Sequence, residues 1–91
     1  MLIVVFYDVP SDRRRTRLAH TLKDFGKRVQ YSVFECHLDE RALQTLRERM
    51  GRLLDLEEDS VRIYRLCKEC DRLLEVLGTA RRTDDPDIYV L

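Results

Sequence analysis

The sequence predicts a two-layer α/β sandwich, an α+β fold in which one antiparallel sheet carries two helices on a single face. Three observations predict it. An apolar run opens the chain, two segments repeat their apolar residues at helical spacing, and extended segments rich in β-branched or aromatic residues follow each helix. A chain of 91 residues is too short for two cores. We therefore assign one domain to residues 1–78 and a tail of weak signature to residues 79–91.

The first strand and first helix are predicted within residues 2–25. Residues 2–7 form a strand because Val and Ile crowd a helical turn, and Asp8, Val9 and Pro10 end it. Ser11 and Asp12 then supply helix-start chemistry. We expect the first helix to run from Asp12 to Phe25, with Gly26 as a left-handed stop.

The second half of the domain repeats this pattern. Residues 29–38 are extended with a break near Ser32, and Asp39 is placed as the N-cap of a second helix. An acidic turn at 55–59 leads to another strand at 61–64. The predicted buried stripe of the second helix consists of Ala42, Leu43, Leu46, Met50, Leu53 and Leu54.

The resulting order, β-α-β-β-α-β, is the ferredoxin-like arrangement, which leaves one sheet face uncovered. Alternation along the first strand puts Leu2, Val4 and Phe6 on one face of the sheet. Ile3, Val5 and Tyr7 lie on the other, so both faces are apolar at the centre of the sheet. An open apolar face of this kind usually requires cover. We expect a second copy to cover it, and in a two-fold dimer any residue near the axis meets its own duplicate.

Charge is distributed unevenly although the formal net charge is zero. Residues 11–28 are strongly basic, and residues 39–59 are mostly acidic. This segregation predicts that a polyanion binds the first stretch while the second faces away. The apolar opening run is too short for a membrane span and lacks signal-peptide features, so we expect a cytoplasmic protein without membrane contact.

Asp8 is the leading candidate for chemistry. It directly follows an apolar strand and shares the alternation of Val4 and Phe6, where a carboxylate is costly to desolvate. One interpretation is a strand-end residue that caps the first helix or begins a turn. In the other, two Asp8 side chains converge at a dimer axis and hold Mg²⁺ or Mn²⁺, which would support phosphodiester hydrolysis.

The arginines of residues 13–17 open the first helix. Three consecutive arginines cannot share one helical face, so at least one must turn toward the loop and the first strand. Phosphate contact and a solvated helix face are both compatible with this run, and the helix start favours anions. Arg28 adds another cation farther along.

The cysteines and aromatic residues allow several interpretations. Cys67 and Cys70 have the spacing of half a zinc site but lack two clear further ligands. A redox pair is disfavoured because that motif belongs at the start of a helix after the first strand, so reduced thiols are favoured over a disulfide or a metal site. Tyr31 and Phe34 either stack on bases or serve the core or an interface, and the ribonucleoprotein motifs of RNA-recognition domains are missing.

Several segments together resemble one family. They are the strand that ends in Tyr7 and Asp8, the arginine-rich residues 13–17, the run GKRVQYSVFE at 26–35, the strand at 61–64, and residues 67–78. The chain resembles the small CRISPR-associated endonuclease family that partners the CRISPR integrase. The resemblance covers nearly the whole sequence, and its most specific part is residues 29–35.

The resemblance implies a ferredoxin-like homodimer in which the chain end, residues 87–91, adds a strand to the partner's sheet. It also implies a divalent metal between the two Asp8 copies. The expected activity is cleavage of single-stranded RNA or double-stranded DNA, in a pathway that captures foreign DNA as new spacers. Besides metal binding by Asp8, it implies supporting roles for Tyr7, Arg15, Arg17, Arg28 and Phe34.

Two other functions remain open at this stage. The same dimer would serve as a non-catalytic scaffold that positions DNA for the integrase, or the chain would be an RNA-cleaving toxin of similar fold. The scaffold predicts that loss of Asp8 leaves spacer acquisition intact. The toxin predicts growth arrest on expression without a CRISPR locus.

Overall fold

The computed structural model describes residues 1–78 and Thr83, and it confirms the ferredoxin-like order. It adds one short helix that the sequence did not indicate. The elements are β1 (Leu2–Asp8), α1 (Asp12–Lys23), β2 (Lys27–Gln30), β3 (Val33–His37), α2 (Glu40–Leu53), β4 (Ser60–Leu66) and α3 (Lys68–Arg72).

The sheet has the strand order β2-β3-β1-β4, and all three pairings are antiparallel. β1 is central, between β3 and β4, as its apolar composition predicts. Its last residue, Asp8, pairs with Ser60 at the beginning of β4, and the backbone N–H of Tyr7 donates to the carbonyl of Ser32 at 3.1 Å. The end of β1 therefore lies beside the β2–β3 turn and the start of β4.

The core lies between the sheet and the first two helices. Ile3, Val5 and Tyr7 of β1 point into it, whereas Val4 and Phe6 lie on the opposite face. Leu2 departs from this alternation because it is also buried. The remaining buried side chains of the core come from the rest of the chain. They are Val9, Leu18, Ala19, Leu22, Phe34, Cys36, Leu38, Leu43, Leu46 and Met50.

Helix α2 follows the prediction closely. The Asp39 carboxylate accepts a hydrogen bond from the backbone N–H of Ala42 at 2.8 Å, which is the predicted N-cap. Of the predicted stripe, Leu43, Leu46 and Met50 are buried, and the other three members are partly buried against the core.

Helix α1 ends two residues earlier than predicted, at Lys23, and Gly26 does not adopt a left-handed conformation. The helix instead closes through a turn in which the Gly26 N–H donates to the Leu22 carbonyl at 2.9 Å. Glycine is needed there for space: a Cβ would collide with the Glu35 carbonyl oxygen and lie 2.8 Å from the Cα of Cys36. Gly26 therefore lets the turn after α1 approach the backbone of β3 closely, and it is not needed for a left-handed backbone conformation.

Arg14 and Asp59 form a clamp between the start of α1 and the acidic turn before β4. Arg14 donates two hydrogen bonds to the Asp59 carboxylate, at 2.8 and 3.1 Å, and the Asp55 N–H donates a third at 2.9 Å. The expectation that the acidic segment faces away from the basic one is therefore wrong at this point. The reason is that Asp59 is buried, and a buried carboxylate needs a cation or hydrogen-bond donors.

The clamp predicts an acid-sensitive contribution to stability. Hydrogen bonds from Arg14 hold the pKa of Asp59 below its ordinary value, and the Asp55 N–H acts in the same direction. A lowered native pKa stabilises the fold above the unfolded value of about 4 and is lost as the pH falls through the native value. We expect Asp59→Asn to lower Tm at pH 7 and to flatten the acid side of the Tm against pH curve. Glu57→Gln, in the same turn but exposed, should follow the wild type; parallel acid limbs for all three proteins would contradict the clamp.

Candidate functional site

The sheet face opposite the helices forms an open groove of about 1040 Å³. Phe6 and Tyr64 are 42% and 47% exposed on it, and their rings meet edge to face with centroids 5.5 Å apart. Val4, Val33 and Leu66 line the same groove. The prediction of an apolar sheet face left uncovered by the helices is therefore confirmed for the single chain.

The C-terminal end of the described chain lies against this groove. Residues 74–77 line it, and the Thr83 hydroxyl donates to the Glu35 carboxylate and lies 3.3 Å from His37 Nε2. Both partners belong to β3 of the same chain. The strand predicted at 87–91, and its addition to a partner's sheet, lie outside the described residues.

Asp8 lies at one end of the groove, together with Ser32, Ser60 and Arg62. Its side chain is exposed, so the predicted desolvation cost does not arise in the single chain. Within residues 1–78 and 83, no hydrogen bond or ion pair engages its carboxylate. The predicted role as a cap of α1 is wrong because the Ser11 hydroxyl fills it, accepting from the Arg14 N–H at 3.2 Å.

The Asp8 carboxylate offers the oxygen ligands that a hard divalent cation prefers, but each chain supplies only one such group. No cluster of three or more His, Cys, Asp or Glu side chains with metal-site spacing occurs in the part of the chain that the structure describes. Mg²⁺ tolerates this because it keeps several waters and commonly binds through one or two carboxylates. The residues present therefore fit a shared magnesium or manganese site better than one enclosed within a single chain.

Tyr7, Phe34 and Arg28 form a stack on the helix side of the sheet. The Tyr7 and Phe34 rings lie 6.3 Å apart between centroids, and the Arg28 guanidinium carbon lies 5.5 Å from the Phe34 ring centre. Phe34 is fully buried and Tyr7 nearly so. Phe34 is therefore a core residue that supports Tyr7 and Arg28, and it is not available to stack on a base; Tyr31, at 79% exposed, is available.

A small pocket of about 170 Å³ opens where α1 faces β2, and we call it the cationic pocket. Arg15, Lys23, Arg28 and His20 line it, and the other lining residues are Tyr7, Thr16, Ala19 and Tyr31. His20 and Lys23 were not predicted to share a site with Arg15. Helical spacing does indicate part of this pocket, because residues 16, 19, 20 and 23 share one face of a helix.

The arginines of residues 13–17 have separate roles. Arg15 is the one that turns back toward the loop after β1: its guanidinium donates to the Val9 carbonyl at 3.0 Å and pairs with Asp12. Arg14 is held in the clamp with Asp59. Arg17 is exposed and lines neither the groove nor the cationic pocket.

The six predicted site residues thus fall into three groups. Tyr7, Phe34, Arg15 and Arg28 lie together on the helix side, whereas Asp8 lies on the groove side and Arg17 stands apart. Tyr7 and Asp8 are consecutive residues on opposite faces, because side chains alternate along a strand. The cationic residues and the Asp8 carboxylate therefore lie on opposite faces of the sheet, and the end of β1 is where the two faces meet.

Known proteins resemble this chain over most of its length. Residues 1–73 match the family model described as CRISPR associated protein Cas2. A relative from Thermus thermophilus, named CRISPR-associated endonuclease Cas2 2, is 49% identical over 90 residues, covering 99% of this chain and 96% of the relative. The CRISPR-associated endoribonuclease Cas2 1 of Chloroflexus aurantiacus is 40% identical and covers all of both chains.

Solved structures give the same result. A hypothetical protein of Thermus thermophilus, TT1823, superposes with a TM-score of 0.78 at 52% identity, covering 88% of this chain and 93% of that one. Streptococcus pyogenes Cas2 superposes with a TM-score of 0.75 at 35% identity, covering 86% of this chain and all of that one. Among the described residues, no helix is long and apolar enough to cross a membrane. Family model, full-length identity and shared fold together show that this chain belongs to the CRISPR-associated Cas2 family.

Proposed function

We propose that this chain is a divalent-metal-dependent endonuclease of CRISPR adaptation, acting in the cytoplasm as a homodimer that partners the integrase. Its relatives are named endonucleases or endoribonucleases. The observation that carries the proposal is the Asp8 carboxylate, exposed at the end of an open apolar groove and without an ion-pair partner in the described chain. Membership of the Cas2 family favours this function over an unrelated RNA-cleaving toxin.

The homodimer is supported by the apolar groove. Phe6 and Tyr64 expose large aromatic surfaces beside Val4 and Leu66, and surfaces of this kind usually mark an interface. A two-fold contact through the groove would place both Asp8 residues at the same interface. Two carboxylates brought together this way either share a proton or hold a cation.

Asp8 from each copy would hold Mg²⁺ or Mn²⁺, which supplies charge neutralisation at a scissile phosphate and an activated water when it is bound. The remaining work falls to residues of the cationic pocket. Arg15, Lys23 and Arg28 present guanidinium and ammonium groups that bind phosphates, and Tyr31 offers an exposed ring for an unpaired base. These groups position the nucleic acid without reading its sequence.

The cationic pocket predicts a measurable salt dependence. Lys23→Gln should weaken binding to RNA and DNA of any sequence, and it should reduce the slope of log affinity against log salt by about 0.7 to 0.9 for the lost phosphate contact. Fluorescence anisotropy at several salt concentrations measures both effects. Arg41→Gln, an exposed cation on α2, is the matched control and should keep the wild-type slope. Equal slopes for the two variants would show that the pocket does not contact phosphate.

The function itself is tested by cleavage. Purified protein is incubated with labelled single-stranded RNA or duplex DNA in Mg²⁺, in Mn²⁺ and in excess chelator. We expect products from at least one substrate with metal and none with chelator. Absence of cleavage under every condition, with spacer acquisition intact, would support the scaffold role and overturn the enzymatic one.

A further inference from the structure

Cys67 and Cys70 lie together at the junction between β4 and α3. Cys67 directly precedes α3, Cys70 lies inside it, and their Sγ atoms are 3.6 Å apart. Both side chains are exposed. A thioredoxin-like redox pair lies at the start of a helix that follows the first strand. Cys67 and Cys70 do lie at the start of a helix, but this helix follows the last strand.

Cys36, the third thiol, has a different environment. It is fully buried on β3 behind Gly26, and burial raises its pKa to about 11, with Glu35 acting in the same direction. A buried thiol of raised pKa is inert to oxidants and alkylating agents. The chain therefore contains two accessible neighbouring thiols and one internal reference thiol.

We propose that Cys67 and Cys70 form a reversible intrachain disulfide, which makes the β4–α3 junction a reaction site for low-molecular-weight disulfides such as oxidised glutathione. The two sulfurs need to approach from 3.6 Å to a bond length of about 2.05 Å, which side-chain rotation in an exposed turn permits. A closed zinc site is a weaker alternative, because no cluster of three or more potential ligands occurs in the described chain.

The two thiols have distinct roles in the exchange. Backbone N–H groups of Cys70 and Glu69, together with the Cys70 thiol, favour the thiolate of Cys67 and lower its pKa, whereas the neighbouring Cys67 raises the pKa of Cys70. The Cys67 thiolate attacks one sulfur of oxidised glutathione and releases a glutathione thiolate. Cys70, after losing its proton, then attacks the Cys67 sulfur and releases the second. The protein loses two electrons and two protons, and one glutathione disulfide becomes two glutathione thiols.

The location gives the bond a structural consequence. Leu66 at the end of β4 and residues 74–77 after α3 both line the open groove, and the thiol pair lies between them. A disulfide would fix the turn through which the chain leaves the sheet. The loop it closes contains only two intervening residues, so it constrains the unfolded chain little, and we expect only a small change in Tm.

The test uses the full chain and needs no nucleic acid, so its outcome is independent of the proposed nuclease function. The protein is reduced, desalted and equilibrated with mixtures of oxidised and reduced glutathione. It is then denatured, and its mass is measured by mass spectrometry before and after alkylation of the free thiols. We expect the number of alkylated thiols to fall by two and the mass of the protein before alkylation to fall by about 2 Da. The reductant dithiothreitol should restore both values. Peptide mapping should place the bond between Cys67 and Cys70.

Single variants separate the roles. Cys70→Ser should accumulate a glutathione adduct on Cys67 and lose the intrachain bond, and at neutral pH its remaining exposed thiol should react faster than that of Cys67→Ser because the backbone N–H groups near Cys67 are retained. Cys36→Ser should form the disulfide as the wild type does, with circular dichroism as the check that the variant is folded. When the reduced wild-type and Cys36→Ser proteins are alkylated in the native state, both should be modified at Cys67 and Cys70 alone. Persistent adducts on the wild-type chain, or disulfide-linked dimers in place of the intrachain bond, would overturn the proposal.

Discussion

Replacing Asp8 by asparagine is expected to lower the rate of phosphodiester cleavage by about a hundredfold or more while leaving the fold intact. A carboxylate that holds a divalent cation at the scissile phosphate contributes several kcal/mol to the transition state, and about 1.4 kcal/mol corresponds to tenfold in rate. The fold should be unaffected because Asp8 is exposed and its carboxylate makes no hydrogen bond within the described residues. Initial cleavage rates in Mg²⁺, with thermal melts and size-exclusion profiles of both proteins, measure these effects.

A charge-matched control makes this result specific. Glu57→Gln also removes an exposed carboxylate, but from the acidic turn before β4, and it should retain the wild-type rate. Calorimetric titration with Mn²⁺ should show weakened binding only for Asp8→Asn. An Asp8→Asn protein that binds the metal and cleaves as the wild type does would contradict the shared-metal site. A protein that assembles normally, does not cleave and still supports spacer acquisition would indicate the scaffold role.

Phe34→Ala is expected to have the largest effect on stability. Phe34 is fully buried, with Tyr7 stacked on one side and the Arg28 guanidinium over its ring. Truncating a buried phenylalanine costs about 3–5 kcal/mol, which is a large part of the roughly 5–15 kcal/mol that stabilises a typical domain. Urea denaturation followed by circular dichroism should show a midpoint shifted far toward zero, or a chain already partly unfolded in buffer.

Two companion variants separate packing from a direct role in function. Tyr31→Ala removes a nearby but exposed ring and should change the free energy of unfolding by no more than about 0.5 kcal/mol. Phe34→Leu keeps most of the apolar volume and should preserve both the fold and nucleic-acid binding. A stably folded Phe34→Leu protein that no longer binds nucleic acid would show that the ring acts directly, and an unaffected Phe34→Ala protein would remove Phe34 from the core.

The segment that follows the cysteine pair along the chain lies against the apolar groove. Residues 74–77 line the groove immediately after α3, and Thr83 contacts Glu35 and His37 of β3. In the single chain this segment therefore occupies part of the surface through which we propose that two copies meet. Dimer formation would have to accommodate or displace it.

Features that depend on neighbours along the chain were predictable from the amino-acid sequence. Alternation in β1 gave the two sheet faces, helical spacing gave the buried stripe of α2, and Asp39 gave its N-cap. The Tyr7-Asp8 strand end and the run at 26–35 also sufficed to indicate the family. These features follow from periodicity and capping, which act over a few residues.

Contacts between residues far apart in the chain were not predictable, because they depend on how the elements pack together. Arg14 binds Asp59 across 45 positions, Gly26 is required by the backbone of β3, and Lys23 joins Arg28 in one pocket. Each depends on how α1 is set against the sheet and on the chain segments at its ends. The short helix α3 escaped prediction because five residues carry too little periodicity to show it. Side-chain chemistry could be read from the sequence, but the distances that turn it into a clamp, a pocket or a thiol pair are set by long-range packing.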